Sequence, residues 1–128
     1  MELNDYQNKA MSTCMDSSRN MSYMAMGLVS EVGEFMGKIA KAIRKGDVHI
    51  GNNDQDSDLH YTIGFMADPD RCREWESDLK HELGDILWLA AGIAEVMGWT
   101  LEEVCSENLA KLSDRKNRGV IDGNGDNR

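Results

Sequence analysis

A stripe of apolar residues that recurs every three or four positions limits what residues 21–45 can form. The spacing matches the 3.6-residue turn of an α-helix, whereas a strand would need alternation. The stripe consists of Met21, Met24, Leu28, Val32, Phe35, Ile39 and Ile43. Gly46 follows as a helix-ending glycine, and Lys45 suits the negative end of a helix dipole. The sequence therefore predicts one long amphipathic helix from about Met21 to Lys45.

Two more helices follow from similar signals on either side. The first is expected over about residues 4–18, where apolar residues again share one face. The other begins after Asp68-Pro69, a capping aspartate followed by proline at the first helical position. It is expected to run to about Met97 and to end at Gly98.

The last predicted helix begins at Thr100, where Glu103 three residues on completes a capping box. It is expected to continue to about Asn117. With four helices and almost no strand signal, the predicted fold class is all-α, a bundle-like arrangement of four helices.

A long connection and a short tail make up the rest. Residues 46–67 are rich in Gly, Asn and Asp, and loops beyond about 12–15 residues are usually functional or disordered. Part of this loop is expected to pack down, because it contains Tyr61, Ile63, Phe65 and Met66. The tail, residues 119–128, is glycine-rich. At 128 residues, the chain is predicted to be a single domain over 1–128.

Composition excludes several classes of protein. The formal net charge of −9 argues against a nucleic acid polymer as partner. No apolar run approaches the roughly 20 residues that cross a bilayer, so no membrane partner is expected. The polar, acidic start does not resemble a signal peptide. Three cysteines without CxxC spacing indicate reduced thiols in a cytoplasmic protein.

Two acidic motifs carry the candidate chemistry. Glu31 and Glu34 are three residues apart in one predicted helix, as are Glu82 and Asp85 in another, so each pair shares a helix face. Four carboxylates bordering a core need compensation, and Mg²⁺ or Mn²⁺ is the cation that all-oxygen ligands suit. Taken singly, either motif is better explained by ordinary surface charges that pair with lysines along the helix, and it is the repetition of the motif that favours a site.

Each motif also contains a glycine, Gly33 or Gly84, although glycine lowers helix propensity. A close approach of the two helices at these glycines would explain them and would bring the two motifs together.

Residues 86–94 form nine consecutive positions without a charge. A helix that is apolar all round is buried all round, which is difficult in a four-helix monomer of this size. We expect a homo-oligomer, a dimer or a tetramer with the tetramer favoured. The alternative is a helix central in its own bundle.

Basic residues gather near the C-terminus despite the acidic chain. From Asn108 to Arg128, five Lys and Arg residues outnumber three Asp residues. One face of the last helix could present the cations to phosphate; the alternative is that they complement the helix C-terminus. Trp88 is a candidate for stacking on a base, or else a packing residue. The full set of candidate substrate-binding residues is Lys38, Trp88, Asn108, Lys111, Arg115 and Arg118.

The order of these motifs resembles the MazG-like family, the all-alpha nucleoside triphosphate pyrophosphohydrolases. The matching stretches are residues 27–34, 80–88 and 108–119, and the ending at 123–128 is similar to a MazG-like subgroup. The resemblance covers about residues 20–45 and 72–128. The chain departs from the family pattern in its longer segment between the two acidic motifs.

The resemblance implies a Mg²⁺-dependent enzyme that splits a (deoxy)nucleoside triphosphate into the monophosphate and pyrophosphate, for nucleotide-pool cleansing or adjustment. Carried over by motif, Glu31, Glu34, Glu82 and Asp85 would hold the metal. Glu31 and Glu34 are the catalytic candidates, and Glu31 is favoured to position or deprotonate the attacking water. The alternatives are a phosphoribosyl-ATP pyrophosphatase-like enzyme and a non-catalytic, metal-binding helical oligomer.

Overall fold

The computed structural model describes residues 1–52, 61–65 and 69–122. Its elements in chain order are α1 (Leu3–Met11), a 3₁₀ turn (Asp16–Ser18), α2 (Met21–Lys45), β1 (Val48–Asn52), β2 (Tyr61–Phe65), α3 (Pro69–Met97) and α4 (Leu101–Asn117). The predicted all-α class with four helices is confirmed. The predicted cap Asp68, Met66 and the tail from residue 123 onward lie outside the described residues.

The ends of three helices are where the sequence predicts them. Gly46 and Gly98 follow α2 and α3 with φ of +74° and +73°, a left-handed conformation that glycine adopts without strain. At the start of α4, the Thr100 side chain accepts a hydrogen bond from the Glu103 backbone N–H at 3.1 Å. Capping residues next to each helix terminus therefore set these boundaries.

The predicted extension of α1 to Ser18 is wrong, because the helix ends at Met11. The hydroxyls of Ser12 and Thr13 donate to the carbonyls of Lys9 and Ala10, both at 2.6 Å. Such local side-chain bonds offer the backbone an alternative to a continuing helix.

The long connection contains a β-hairpin that the sequence analysis did not predict. β1 and β2 pair antiparallel, with Val48 opposite Phe65 and Ile50 opposite Ile63. The signal was an apolar β-branched or aromatic residue at every second position, Val48 and Ile50 in the first segment and Tyr61, Ile63 and Phe65 in the second. Of the side chains described in this region, Val48 is buried, at 3% exposure.

The described residues form two compact units. The first comprises Met1–Met24 and Ala90–Arg128. Within it, buried Gln7 links α1 to the start of α4: its amide donates to the Trp99 carbonyl at 2.9 Å and accepts from the Leu101 N–H at 2.7 Å. Each helix N-terminus leaves free N–H groups, so this glutamine satisfies one of them.

The second unit is Ala25–Leu89 and contains most of α2, the hairpin and most of α3. Leu89, Ala42 and Val48 belong to its buried apolar residues. No helix of the described residues is both long enough and apolar enough to cross a membrane. The prediction of a single domain stays a prediction.

Close approaches occur at glycines other than those predicted. A Cβ on Gly27 would lie 2.8 Å from Leu89 Cδ2, and one on Gly92 would lie 2.7 Å from Met24 Cε. At Gly33 and Gly84, no described atom lies within 4 Å of an added Cβ. The expected close contact between the helices at Gly33 and Gly84 is therefore wrong. The glycines that make room for a neighbouring side chain are Gly27, beside Leu89, and Gly92, beside Met24.

Candidate metal centre

The two acidic motifs meet within the second unit. Glu31 and Glu34 lie on α2, and Glu82 lies on α3. Each offers one carboxylate oxygen, and the three oxygens lie within 4.8 Å of one another. The three-residue spacing puts the first two on one face of α2, and the helix pairing supplies the third.

The carboxylates differ in their access to solvent. The Glu82 side chain is 12% exposed, Glu31 is half-buried and Glu34 is exposed. Asp85 is exposed and is not a member of the three-residue group, although its charge acts on Glu31. The role of Asp85 as a fourth ligand stays a prediction.

The pKa of Glu31 is raised above its usual value. Desolvation is the largest cause, followed by repulsion from Glu34, Asp85 and Glu82. Burial and neighbouring like charges both disfavour a carboxylate's charged form. The protonated form of Glu31 is therefore favoured relative to an isolated glutamate.

Lys38 compensates part of this negative charge. Its ammonium lies 3.1 Å from Glu82 Oε1 and 3.3 Å from Asp78 Oδ2. The hydrogen bond to Glu82 is the first cause of its raised pKa. Lys38 therefore forms ion pairs with two residues of α3. If the acidic motifs were only ordinary surface charges, it would be expected to pair with a residue of its own helix, α2.

The donor set fits a hard divalent cation. Mg²⁺ takes oxygen ligands at about 2.0–2.1 Å, which puts oxygens on opposite sides of the ion about 4 Å apart. The separations of up to 4.8 Å among the Glu31, Glu34 and Glu82 oxygens are close to that span. Clustered carboxylates also repel one another, so a bound cation would relieve the repulsion on Glu31.

The predicted substrate residues of α4 have different environments within the first unit. Asn108 and Lys111 line a cavity of about 370 Å³ together with Trp99. Arg115 is buried at 5% exposure, and Arg118 pairs with Asp114 at 2.7 Å. Lys111, Arg115 and Arg118 therefore do not form one uniformly exposed face. Their contact with a substrate stays a prediction.

Trp88 lies on α3, three residues beyond Asp85, and is half-buried. Both of its proposed roles, stacking on a base and packing, are compatible with this burial. The three cysteines, Cys14, Cys72 and Cys105, are free thiols, as their spacing predicts.

Sequence reasoning missed several polar residues next to the cluster. Asp78, the second partner of Lys38, lies one turn before Glu82 on α3. Trp75 donates its indole N–H to the Lys38 carbonyl at 3.3 Å. Lys45, predicted only to suit the negative end of the helix dipole, and Lys41 line a cavity with Trp75. The sequence did indicate that these two lysines share a helix face with Glu34 and Lys38, because residues 34, 38, 41 and 45 are three or four positions apart.

Comparisons with known proteins identify the family of this chain. The model of the MazG nucleotide pyrophosphohydrolase domain matches residues 19–120. The Gene 37 protein of Mycobacterium phage L5 is 38% identical over 113 residues, which are 88% of this chain and 81% of the phage protein. No solved structure matches the chain significantly. The matched region contains both acidic motifs and the basic end of α4, and the chain belongs to the MazG nucleotide pyrophosphohydrolase domain family.

Proposed function

We propose that this protein hydrolyses a (deoxy)nucleoside triphosphate to the monophosphate and pyrophosphate in a Mg²⁺-dependent reaction. The observation that carries the proposal is the convergence of Glu31, Glu34 and Glu82 within 4.8 Å. Phosphoryl transfer depends mainly on positioning and on neutralisation of charge, which such a cluster provides through a cation.

Glu31, Glu34 and Glu82 would hold the cation, with Asp85 as a further candidate. When bound, the cation would neutralise phosphate charge and make a nearby water more acidic, and Mn²⁺ is a possible substitute. This local charge matters because a chain of net charge −9 otherwise repels a triphosphate.

Glu31 is the residue we assign to the water. It is half-buried in the carboxylate cluster, where a carboxylate oxygen that does not hold the cation would accept a proton from an adjacent water. The water oxygen forms a bond to phosphorus and the bridge between the α and β phosphates breaks. Glu31 accepts the water proton, and the pair of electrons from the broken bond stays with the leaving phosphate oxygen. Solvent then takes the proton from Glu31.

Lys38 has a positioning role in this scheme. Its ion pairs with Glu82 and Asp78 hold a carboxylate from α3 beside the two from α2. The α4 residues Asn108, Lys111, Arg115 and Arg118, together with Trp88, remain our candidates for contact with the phosphates and the base.

We further propose that the protein acts as a homo-oligomer, with a tetramer favoured over a dimer. In support, α2 carries a strongly exposed apolar face in the second unit, which includes Val29 at 74% and Met36 at 54% exposure, and α3 carries Leu87 at 51%. Exposed apolar residues grouped on one side mark interaction surfaces. Free cysteines and a nucleotide substrate favour the cytoplasm and a role in nucleotide-pool cleansing or adjustment.

The test is a panel of nucleoside and deoxynucleoside triphosphates, with phosphoribosyl-ATP included, incubated with Mg²⁺ and followed by identification of the products. We expect pyrophosphate and the monophosphate, and no orthophosphate. E34A should lower kcat at least about 100-fold, because it removes a charge that acts on the transition state.

The matched control is E76A, which removes an exposed carboxylate of α3 outside the cluster. Native turnover by E34A would show that the carboxylate site is wrong. Tight Mg²⁺ binding without turnover of any nucleotide would instead favour the non-catalytic metal-binding oligomer.

A further inference from the structure

A cavity lined by several charged side chains lies in the same unit as the carboxylates, at the C-terminal end of α2. Its volume is about 220 Å³, and its lining includes Lys41 and Lys45 of α2, and Arg71 and Trp75 of α3. Pockets for whole drug-sized ligands measure about 300–1,000 Å³. The cavity therefore suits one part of a nucleotide.

Cations outnumber anions around this cavity, in contrast to the whole chain. Arg71 pairs with Asp47 at 2.7 Å, and Lys38 pairs with Asp78 at 3.3 Å. Two lysines remain, Lys41 and Lys45. Both are exposed, and neither forms an ion pair with any residue that the structure describes. Glu74 is the acidic lining residue outside these ion pairs. Two lysines against one glutamate leave the lining with a net positive charge.

The cavity continues the carboxylate face of α2. Residues 31, 34, 38, 41 and 45 are separated by three and four positions, so they share one face. At 1.5 Å per residue, Lys41 lies about 10 Å along the axis from Glu34. Side chains of a helix lean toward its N-terminus, which directs Lys41 and Lys45 back toward the carboxylates.

Trp75 gives the cavity a fixed wall. Its indole N–H donates to the Lys38 carbonyl at 3.3 Å, and the side chain is half-buried. The wall thus adjoins Lys38, the residue that joins the carboxylate cluster to the cavity through its bond to Glu82.

We propose that this cavity binds the β and γ phosphates of the substrate, which leave together as pyrophosphate, through Lys41 and Lys45. The inference rests on the proposed function, because it places the bond to be cleaved at the carboxylates. Lysine binds phosphate as a point charge, and the two phosphates carry most of the charge of a nucleoside triphosphate. The monophosphate half then lies on the other side of the carboxylates.

The experiment compares two products as inhibitors and as ligands. In K41Q/K45Q, we expect the inhibition constant of pyrophosphate to rise about tenfold or more, while that of the nucleoside monophosphate stays unchanged. Calorimetric titration of inorganic pyrophosphate with Mg²⁺ present should show the same loss of affinity without requiring turnover.

The matched control is R44Q/K80Q, which removes two positive charges from exposed positions of α2 and α3 outside the cavity. Circular dichroism of both double variants shows whether the helices are retained. If both variants weaken pyrophosphate equally, the effect is one of overall charge and the inference is wrong. Unchanged pyrophosphate affinity with a lower Tm in K41Q/K45Q would also overturn it, because the lysines would then serve only the helix end.

These outcomes separate the two proposals. A wild-type protein that hydrolyses no nucleotide would contradict the proposed function alone. In that case, pyrophosphate binding that is lost in K41Q/K45Q and kept in R44Q/K80Q still supports the anion site. A wild-type protein that does not bind pyrophosphate would overturn the inference, even if nucleotides are hydrolysed.

Discussion

At the scale of single residues, the clustered carboxylates lower the stability of the folded protein when no cation is bound. Desolvation, and then repulsion from three acidic neighbours, raise the pKa of Glu31. Lys38 offsets part of this charge at Glu82. Sites that bind cations commonly sacrifice stability in this way, because the repulsion is relieved only when the ligand is present.

The raised pKa of Glu31 predicts the direction in which E31Q changes the thermal stability in metal-free buffer. The folded-state pKa lies above the ordinary value of 4.5, so the folded protein is penalised wherever Glu31 is charged. This penalty is present above the raised pKa, diminishes as the pH falls through it, and is absent below the ordinary value of 4.5. E31Q should therefore have a higher Tm than wild type at pH 7, and the difference should vanish near pH 4.

The measurement is thermal unfolding followed by circular dichroism in the presence of a chelator. E76Q, in an exposed carboxylate outside the cluster, should show no comparable gain. With Mg²⁺ added, wild type should gain stability through ligand binding, and E31Q should gain less. A lower Tm for metal-free E31Q at pH 7 would contradict the repulsion at this site.

At the scale of elements, glycines reveal where helices and side chains crowd. Met24 is fully buried in the first unit, and its side chain occupies the space in which a Cβ on Gly92 would lie. The sequence signal, a glycine in an apolar helix, was equally strong at Gly33 and Gly84, where that space is open. Low helix propensity shows that a glycine in a helix is unusual. Only the atoms around it show whether a larger residue would clash there.

We expect G92A to destabilise the protein by about 0–2 kcal/mol net, because crowding the buried Met24 side chain costs about 1–3 kcal/mol and alanine returns up to about 1 kcal/mol of helix propensity. G37A is the matched control, because no described atom lies within 4 Å of its added Cβ. It should be neutral or stabilising by up to about 1 kcal/mol. Urea unfolding measures both.

A double-mutant cycle tests the cause. In an M24A background, where the crowding side chain is truncated, the penalty of G92A should largely disappear. If G92A costs the same in both backgrounds, the contact with Met24 is not its source.

The elements also show how far sequence reasoning reached. The bounds of α2, α3 and α4 follow from periodicity, proline and capping residues, which act locally. The end of α1 was missed, because two hydroxyls back-bond to helix carbonyls. The hairpin was missed because each strand has five residues and lies in a segment dominated by loop-forming residues.

At the scale of the whole molecule, the exposed apolar face of the second unit leads to the prediction of oligomers. One copy of the chain has a mass of 14.3 kDa. Light scattering at micromolar concentration should give a multiple of that mass. V29E introduces a charge at a position that is 74% exposed in the single chain, and it should shift the mass toward that of a monomer.

S106E is the matched control, since it adds the same charge at an exposed polar position of α4 and should leave the mass unchanged. A wild-type protein with the mass of one chain would contradict the oligomer proposal. Equal dissociation by V29E and S106E would indicate a general charge effect.

Periodicity and capping chemistry by themselves determined that this chain forms four helices. The spacing of its acidic residues placed each carboxylate pair on one helix face. These features depend on neighbours within about four residues, which a sequence displays directly.

Only the tertiary structure decided which groups from different helices meet. It brought Glu82 to Glu31 and Glu34, paired Lys38 with Glu82, and placed Trp75 beside lysines of α2 in the lining of one cavity. The physical reason is that contacts between helices depend on their packing, which no local spacing specifies.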